Sequence, residues 1–338
     1  MKPKLDDVAK LANVSKTTVS RVLNKRGYLS QETIDKVYDA MAKLNYQPNT
    51  VARQLYNKKT QIIGLIFPTV TNPFFGELVE ELEKKLYLQG YKVIIGNSMN
   101  DPEKETNYLN QLLSNQVDGL IVGTHNQDIE QYKNDNLPIV AIDQIMNEDI
   151  PIIESDNYLG GQLATERLIN KGAKKIIHTA GPDYLNSPTH RRRIAYEDKM
   201  REHDLNPISY SVDFNIPYED KIQIFNRIFK EHPDVEGIFA SNDLDAALIM
   251  NIAKNYNKKI PEDLLLVGYD GTKIMRTVFS ELTTIIQPID QISTKAIEVL
   301  NDRMENKDTL KEYIFPLLFG KAVHVKFNQD NFYNKKPV

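Results

Sequence analysis

The sequence predicts an α/β protein, a two-lobed body of parallel sheets preceded by a small all-α domain. Three observations carry that expectation. From Gln61 onward, short Val/Ile/Leu runs alternate with helix-length amphipathic segments, the pattern of strands covered by helices on both faces. These runs form two similar sets, which implies two lobes. Before Gln61 no such run occurs, and the apolar residues fall at helical spacing.

In the first segment, "LDDVAKLA" places Leu5, Val8 and Ala9 at i, i+3 and i+4. "SKTTVSRVLN" follows after a short turn, and "SQETIDKVYDAMAKLNY" carries Ile34, Val37, Met41 and Leu44 on one side. Ser15 and Ser30 stand where N-caps belong, and Pro48 ends the block. Strands are expected at 62–68, 92–98, 118–124, 138–143 and 150–156 for the first lobe. For the second they are expected at 174–181, 210–214, 235–243, 263–271 and 282–288. Leu78, Leu82 and Leu86 mark one of the intervening helices.

The chain of 338 residues holds ample apolar material, 41 %, for more than one domain. It contains no cysteine, so no disulfide or thiolate metal site is available, which suits a reducing compartment. The opening "MKPKLDDVAK" lacks the apolar core of a signal peptide and no membrane-length apolar run follows, so the expectation is a soluble, cytoplasmic protein. The net charge of −4 is divided: residues 1–60 carry twelve Lys and Arg against five Asp and Glu, and the excess acid lies beyond them. A basic module ahead of an acidic body points to a polyanionic partner for the module alone.

At about 100° per residue, Lys16, Thr17, Ser20 and Arg21 lie within roughly 140° of one another, with Val19, Val22 and Leu23 opposite. Such a helix packs one face and offers donors on the other. Arg21 has the fork that matches guanine O6 and N7. Together with "LDDVAKLA" this is helix-turn-helix spacing, with 16–23 as the recognition helix. Next, "QPNTVARQLYNKKT" offers Asn49 as a cap and sets Val51 and Leu55 four apart around small Ala52. A helix this short is marginal alone. Paired with its copy, it could present Leu55 as a minor-groove wedge.

The motifs "LDDVAKLANVSKTTVSRVLN", "DAMAKLNYQPNTVARQL", "IGLIFPTVTNPFF", "VDGLIV", "AGP", "IFASNDLDAAL", "LLLVGYDGT" and "LTTIIQP" resemble, in order and over essentially the whole chain, the lactose and galactose repressor family. Within it, "NKRGYLS", "SDNYLGG", "NSPT" and "GYDGT" are most similar to the sucrose operon repressors. The resemblance implies a helix-turn-helix domain over 1–47, a hinge helix and linker over 48–60, and a periplasmic-binding-protein-like sugar-binding and dimerisation body over 61–330. It puts the N-lobe at about 61–158 and 291–319 and the C-lobe at about 159–290 and 320–330. The crossings fall near 157–162, 288–292 and 318–322.

By the same resemblance Lys16, Thr17 and Arg21 read bases, Thr18 and Ser20 serve phosphates, and Asn24 is grouped with them. Asn49, Ala52 and Leu55 belong to the hinge. Ligands of such doubly wound lobes sit at the strand carboxyl ends. That makes Asn72, Phe74, Phe75, Asp143, Arg193, Asp213, Phe214, Asn242 and Asp270 the candidate effector contacts. Carboxylate, amide and guanidinium groups hold sugar hydroxyls, and an aromatic ring covers an apolar sugar face. One departure stands out. After Arg193 in "HRRRIAYED", positions usually held by a glycine and a large aromatic are Tyr196 and Glu197.

No GxxxxGK[ST], HExxH or GxSxG is present, and the six histidines lack metal-ligand spacing, so neither an enzyme, a metal nor a cofactor is expected. The expected function is a homodimeric transcriptional repressor bound to palindromic operator DNA. A sugar or sugar phosphate, with sucrose or a derivative the nearest similarity, would release it. The tail lacks the leucine heptads of a tetramer. Two alternatives stay open: a regulator of the same fold that needs a phosphorylated carrier protein as corepressor, and a sugar-binding uptake module.

Overall fold

The computed structural model describes residues 3–24, 26–47, 59–114, 117–126, 129–133, 138–182, 187–213 and 216–320. The chain divides into two compact units, residues 1–60 and residues 61–338. Phe214 and residues 48–58 of the expected hinge, with Asn49, Ala52 and Leu55, lie outside the described residues.

The first unit contains α1 (Leu5–Leu11), α2 (Lys16–Leu23) and α3 (Gln31–Lys43). Ser15 Oγ accepts from the Thr18 amide at 3.0 Å and Ser30 Oγ from the Thr33 amide at 3.3 Å. Each cap satisfies a donor that the first helical turn leaves over. Asn13 makes the turn between α1 and α2 at φ 52°, a left-handed conformation that Asn tolerates better than most residues. Val8, Ala9, Ala12, Val19, Val22, Val37 and Ala40 form the buried centre. These are small or β-branched side chains, so the three helices approach closely.

The second unit is built on two six-stranded sheets. In order along the chain the first lobe supplies β1 (Ile62–Phe67), α4 (Pro73–Leu88), β2 (Lys92–Asn97), α5 (Pro102–Leu113), β3 (Gly119–Val122), β4 (Ile139–Ile142) and β5 (Ile152–Ser155). The second supplies α6 (Asn157–Asn170), β6 (Ile176–Ala180), α7 (Pro188–Glu202), β7 (Ile208–Ser211), α8 (Tyr218–Glu231), β8 (Gly237–Phe239), α9 (Asp243–Asn255), β9 (Leu265–Asp270), α10 (Lys273–Val278) and β10 (Thr283–Ile286). The chain then returns with α11 (Ile289–Met304) and β11 (Glu312–Phe315) to the first lobe and ends the described residues on β12 (Leu318–Gly320) in the second.

The strand orders are β11-β5-β4-β3-β1-β2 and β12-β10-β9-β8-β6-β7. Every pairing is parallel except β10 with β12. Apolar clusters cover both faces of each sheet. In the first lobe Leu78, Leu82 and Leu86 of α4 meet Ile292, Ala296 and Leu300 of α11 over one face, and Leu109 and Leu112 of α5 lie on the other.

Three differences from the sequence reading have plain causes. Strand β7 begins two residues before the expected 210, because its register pairs Ile208 with Ile177 and Ser211 with Ala180. Strands β11 and β12 were not anticipated. They are edge strands whose Ile314 and Leu318 stay exposed, so no buried apolar run announces them. The third crossing lies at 316–317, so Leu318 and Phe319 pair with β10 of the second lobe and not with the first lobe, to which 291–319 had been assigned.

Candidate functional site

The carboxyl ends of β1, β3 and β4 face those of β8, β9 and β10 across a cavity of about 100 Å³ in the second unit. On the first-lobe side Asn72 caps α4, its Oδ1 accepting from the Phe74 amide at 2.9 Å, and Pro73 supplies the first helical residue. That cap aims Phe74 and Phe75 at the cleft. Phe75 lies 5.6 Å from Phe67 and 5.3 Å from Phe74, ring centre to ring centre, with His125 edge-on at 6.4 Å. Burial holds His125 down at about 4, so this aromatic wall is uncharged. Gly123 is required beneath it: a Cβ there would come within 2.8 Å of the Phe67 ring.

Two aspartates leave their strands in the left-handed region, Asp143 after β4 at φ 60° and Asp270 at the end of β9 at φ 101°. Both line the cavity, one from each lobe. Burial pushes Asp143 up to about 6, opposed by Arg192 and the Ser155 amide. It pushes Asp270 up to about 7, opposed by Arg192 and by Gln287, whose Nε2 donates to Asp270 Oδ1 at 2.9 Å. Asn242 caps α9 with Oδ1 on the Asp245 amide at 2.8 Å, while its Nδ2 donates to Asp245 Oδ2 at 3.0 Å.

The arginine of the cavity is Arg192, which corrects the expectation for Arg193. Three consecutive arginines on α7 point three ways, about 100° apart. Arg191 reaches Glu154 of the first lobe at 2.7 Å. Arg193 turns to Glu197 on its own helix at 2.8 Å. Arg192 is buried; its Nε donates to Asn157 Oδ1 at 3.0 Å, its Nη1 to the Ser241 carbonyl at 2.9 Å, and its guanidinium carbon sits 3.4 Å from the Tyr269 ring centre. The signal was in the sequence. Arg192, Ala195, Tyr196 and Met200 form the buried face of α7, and the three apolar members set the phase that selects 192. Small Ala195 and aromatic Tyr196 follow Arg192 at three and four residues on the same buried face, whereas Glu197 lies off it and holds Arg193.

The paired glycines of "NYLGGQLA" explain how Arg192 is seated. A Cβ on Gly160 would lie 2.4 Å from the Tyr269 hydroxyl, and one on Gly161 would lie 2.5 Å from the Arg192 carbonyl oxygen. Their bare backbone lets α6 press against both β9 and α7. Asp213 follows edge strand β7 and does not line the cavity. The lining residues that the sequence reading passed over include Gly123, His125, Gln144, Thr189, Ser241 and Gln287. Gln287 stood in the quoted "LTTIIQP" and Ser241 beside Asn242; both sit at strand ends, the place the fold rule names. Besides Arg191 with Glu154, the lobes are tied by Lys273 Nζ to Glu81 at 2.9 Å and by Ser155 Oγ to Gln287 Oε1 at 2.7 Å.

In the first unit, Lys16, Thr17 and Arg21 are exposed on one side of α2, and Thr18 and Ser20 are half-buried. Lys16 pairs with Asp6 of α1 at 2.9 Å, and Thr18 exchanges a hydroxyl hydrogen bond with Ser15 at 2.8 Å. Asn24 closes the helix, its Nδ2 donating to the Ser20 carbonyl at 2.9 Å. A Cβ on Gly27, at φ +71°, would come within 2.3 Å of Arg21 Nη2, so this turn leaves room for the arginine head.

Comparison with known proteins gives two family matches: residues 4–49 to the bacterial regulatory proteins of the lacI family, and residues 60–315 to periplasmic binding proteins and the sugar binding domain of the LacI family. A sucrose operon repressor from Pediococcus pentosaceus is 46 % identical over 324 residues, 95 % of this chain and 99 % of that protein. The lac repressor dimer bound to operator and the anti-inducer ONPF superposes with a TM-score of 0.82 at 25 % identity, covering 95 % of this chain and 98 % of that one. A LacI-type regulator from Alkaliphilus metalliredigens complexed with D-xylulofuranose gives 0.70 at 31 % identity, covering 77 % and 97 %.

Proposed function

The chain belongs to the LacI family, a cytoplasmic, non-enzymatic family of DNA-binding repressors, and from that premise we propose that it represses a sucrose-utilisation operon and is released by a sugar held between its lobes. The cavity carries this reading: carboxylates from both lobes, an arginine and an aromatic wall converge on one small space. The sucrose operon repressor of P. pentosaceus, alike over nearly its whole length, supports the operon. The relative that holds D-xylulofuranose supports a sugar in the cleft.

Two recognition helices of a homodimer read the half-sites of a palindrome, with Lys16, Thr17 and Arg21 on bases and Thr18 and Ser20 on phosphates. The hinge residues Asn49, Ala52 and Leu55 belong to the same proposal. Edge strand β2 exposes Ile94 and Ile95, an apolar edge of the kind that a partner subunit covers. Sugar and operator then weaken each other by the same factor.

Anisotropy titration of the full chain onto a palindromic operator from a sucrose-utilisation promoter tests this, with and without sugars. Binding that weakens with rising salt and is relieved by one sugar is the expected result. Operator affinity that no sugar changes refutes the sugar-responsive part.

A further inference from the structure

We infer that Asp6 sets the specificity of operator reading by positioning Lys16, holding its ammonium for the base edges and off the phosphates. The inference rests on the operator-reading proposal above, in which Lys16 contacts bases, and adds a residue of α1 to it.

The first observation is an acid in a costly place. A module that meets a polyanion gains from each Lys and Arg on its contact face and loses from each carboxylate there. Residues 1–60 hold five acids, and three of them serve their own helix. Asp7 Oδ2 accepts from the Lys4 amide at 2.8 Å, Glu32 pairs with Lys36 at 2.7 Å, and Asp35 accepts from Gln31 at 2.8 Å. Asp6 differs. Its carboxylate reaches from α1 to α2 and meets Lys16 Nζ at 2.9 Å from Oδ1 and 3.2 Å from Oδ2. Lys16 is the first residue of α2 and shares its donor face with Thr17, Ser20 and Arg21. The acid therefore stands at the edge of the face that the operator-reading proposal turns to DNA.

Stability does not account for the pair. The two side chains stay 61 % and 54 % exposed, and an ion pair so open to water contributes little once both side chains have been ordered. Neither helix start depends on it: Asp7 takes up the Lys4 amide ahead of α1, and Ser15 caps α2 through the Thr18 amide at 3.0 Å.

What the pair governs is where a cation can go. A lysine ammonium on a flexible four-carbon stem is a point charge that neutralises whichever phosphate is nearest. Tethered by Asp6, Nζ spends one direction on the carboxylate and keeps two protons for acceptors such as guanine O6 and N7. The other cation of this face is seated as well. The Arg21 head occupies the space that a Cβ on Gly27 would need, 2.3 Å from Nη2. Both heads are thus ordered before contact, which lowers the entropy lost on binding. As a duplex expels water, the attraction between Asp6 and Lys16 strengthens. On DNA without the matching base pair the carboxylate remains beside phosphates with no compensating contact, a penalty against wrong sequences.

Anisotropy titration of the full chain decides it. The duplexes are the palindromic operator from a sucrose-utilisation promoter, variants with each base pair of the half-site replaced in turn, and a scrambled sequence. Wild type should lose about tenfold or more at the base pair that Lys16 reads. Asp6→Asn and Lys16→Met should each cut that loss to about threefold or less at the same position, and the double variant should cut it no further. Asp6→Asn should also bind the scrambled duplex about threefold more tightly. Its plot of log affinity against log salt should steepen by about 0.9, the mark of one ammonium passed to a phosphate. Asp6→Glu keeps the charge and should stay within about twofold of wild type throughout. Discrimination that survives Asp6→Asn where Lys16→Met removes it, or an unchanged salt slope, overturns this inference and leaves operator reading standing. If Lys16→Met flattens no position, or wild type does not prefer the operator to the scrambled duplex, the base-reading proposal falls and the inference with it.

Discussion

Replacing Arg192 by methionine removes the cation whose charge opposes the burial of Asp143 of the first lobe and Asp270 of the second, and which lines the cavity with them. Its two hydrogen bonds, to Asn157 Oδ1 and the Ser241 carbonyl, involve a charged donor, about 1.5–3 kcal/mol each. Their sum, about 3–6 kcal/mol, matches the roughly 3–5 kcal/mol found when one partner of a buried charge pair is deleted. The loss arises mainly from what stays behind, two buried carboxylates without their cation. Adding Asp270→Asn should therefore restore part of the loss, so that the double variant is more stable than the two separate losses added together. Urea unfolding of the body, followed by tyrosine emission since the chain has 17 Tyr and no Trp, measures all three. A loss below about 1 kcal/mol for Arg192→Met, or strict additivity with Asp270→Asn, would refute the view that Arg192 neutralises the cleft.

Gly161→Ala should cost about 1–3 kcal/mol by overpacking and weaken the bound sugar, because the new Cβ meets the Arg192 carbonyl oxygen at 2.5 Å; unfolding and titration calorimetry on one preparation check both. Ser15→Ala should lower the stability of the helix-turn-helix unit by about 1 kcal/mol, read as a shift of its own thermal transition. Asp243, raised by burial and by Asp270 from 3.8 to about 8, holds its proton in the folded state after the unfolded chain has lost it. Its contribution to stability is full below about pH 4 and is lost as pH rises towards 8, at up to about 1.4 kcal/mol per pH unit. Asp243→Asn should flatten that slope between pH 5 and 8, and urea midpoints that keep the wild-type slope would count against it.

Eight of the ten expected strands were legible as apolar runs because parallel strands between helices are buried on both faces, and that is a property of composition; β2 and β7 lie at sheet edges and were legible by their alternation with helices. Strands β11 and β12 were not, because an edge strand with Glu312, Ile314 and Leu318 turned outward has the composition of a loop. The site was legible as a set of strand ends. Asn72, Phe74, Phe75, Asp143, Asn242 and Asp270 all line the cavity. Arg193 turns away from the cavity because one residue of helix is about 100° of direction, and three identical residues carry no local mark of which one faces inward. His125 carries no local signal at all. Its place in the aromatic wall depends on Phe75, fifty residues away.

The interleaving of the two lobes along the chain bears on how the protein is made. The face of the first sheet under α4 is covered by Ile289, Ile292, Ala296, Ile297 and Leu300 of α11, residues synthesised after the whole of the second lobe's parallel strands. At roughly 5–20 residues per second, roughly 12–50 s separate the emergence of β1 from that of α11. Through that interval the nascent first lobe presents an uncovered apolar face, whereas the helix-turn-helix unit, complete within sixty residues, can already be folded. Translation thus finishes the operator-reading head first and leaves the sensing body exposed to chaperones, and to its neighbours on a polysome, until nearly the last residues of its core arrive.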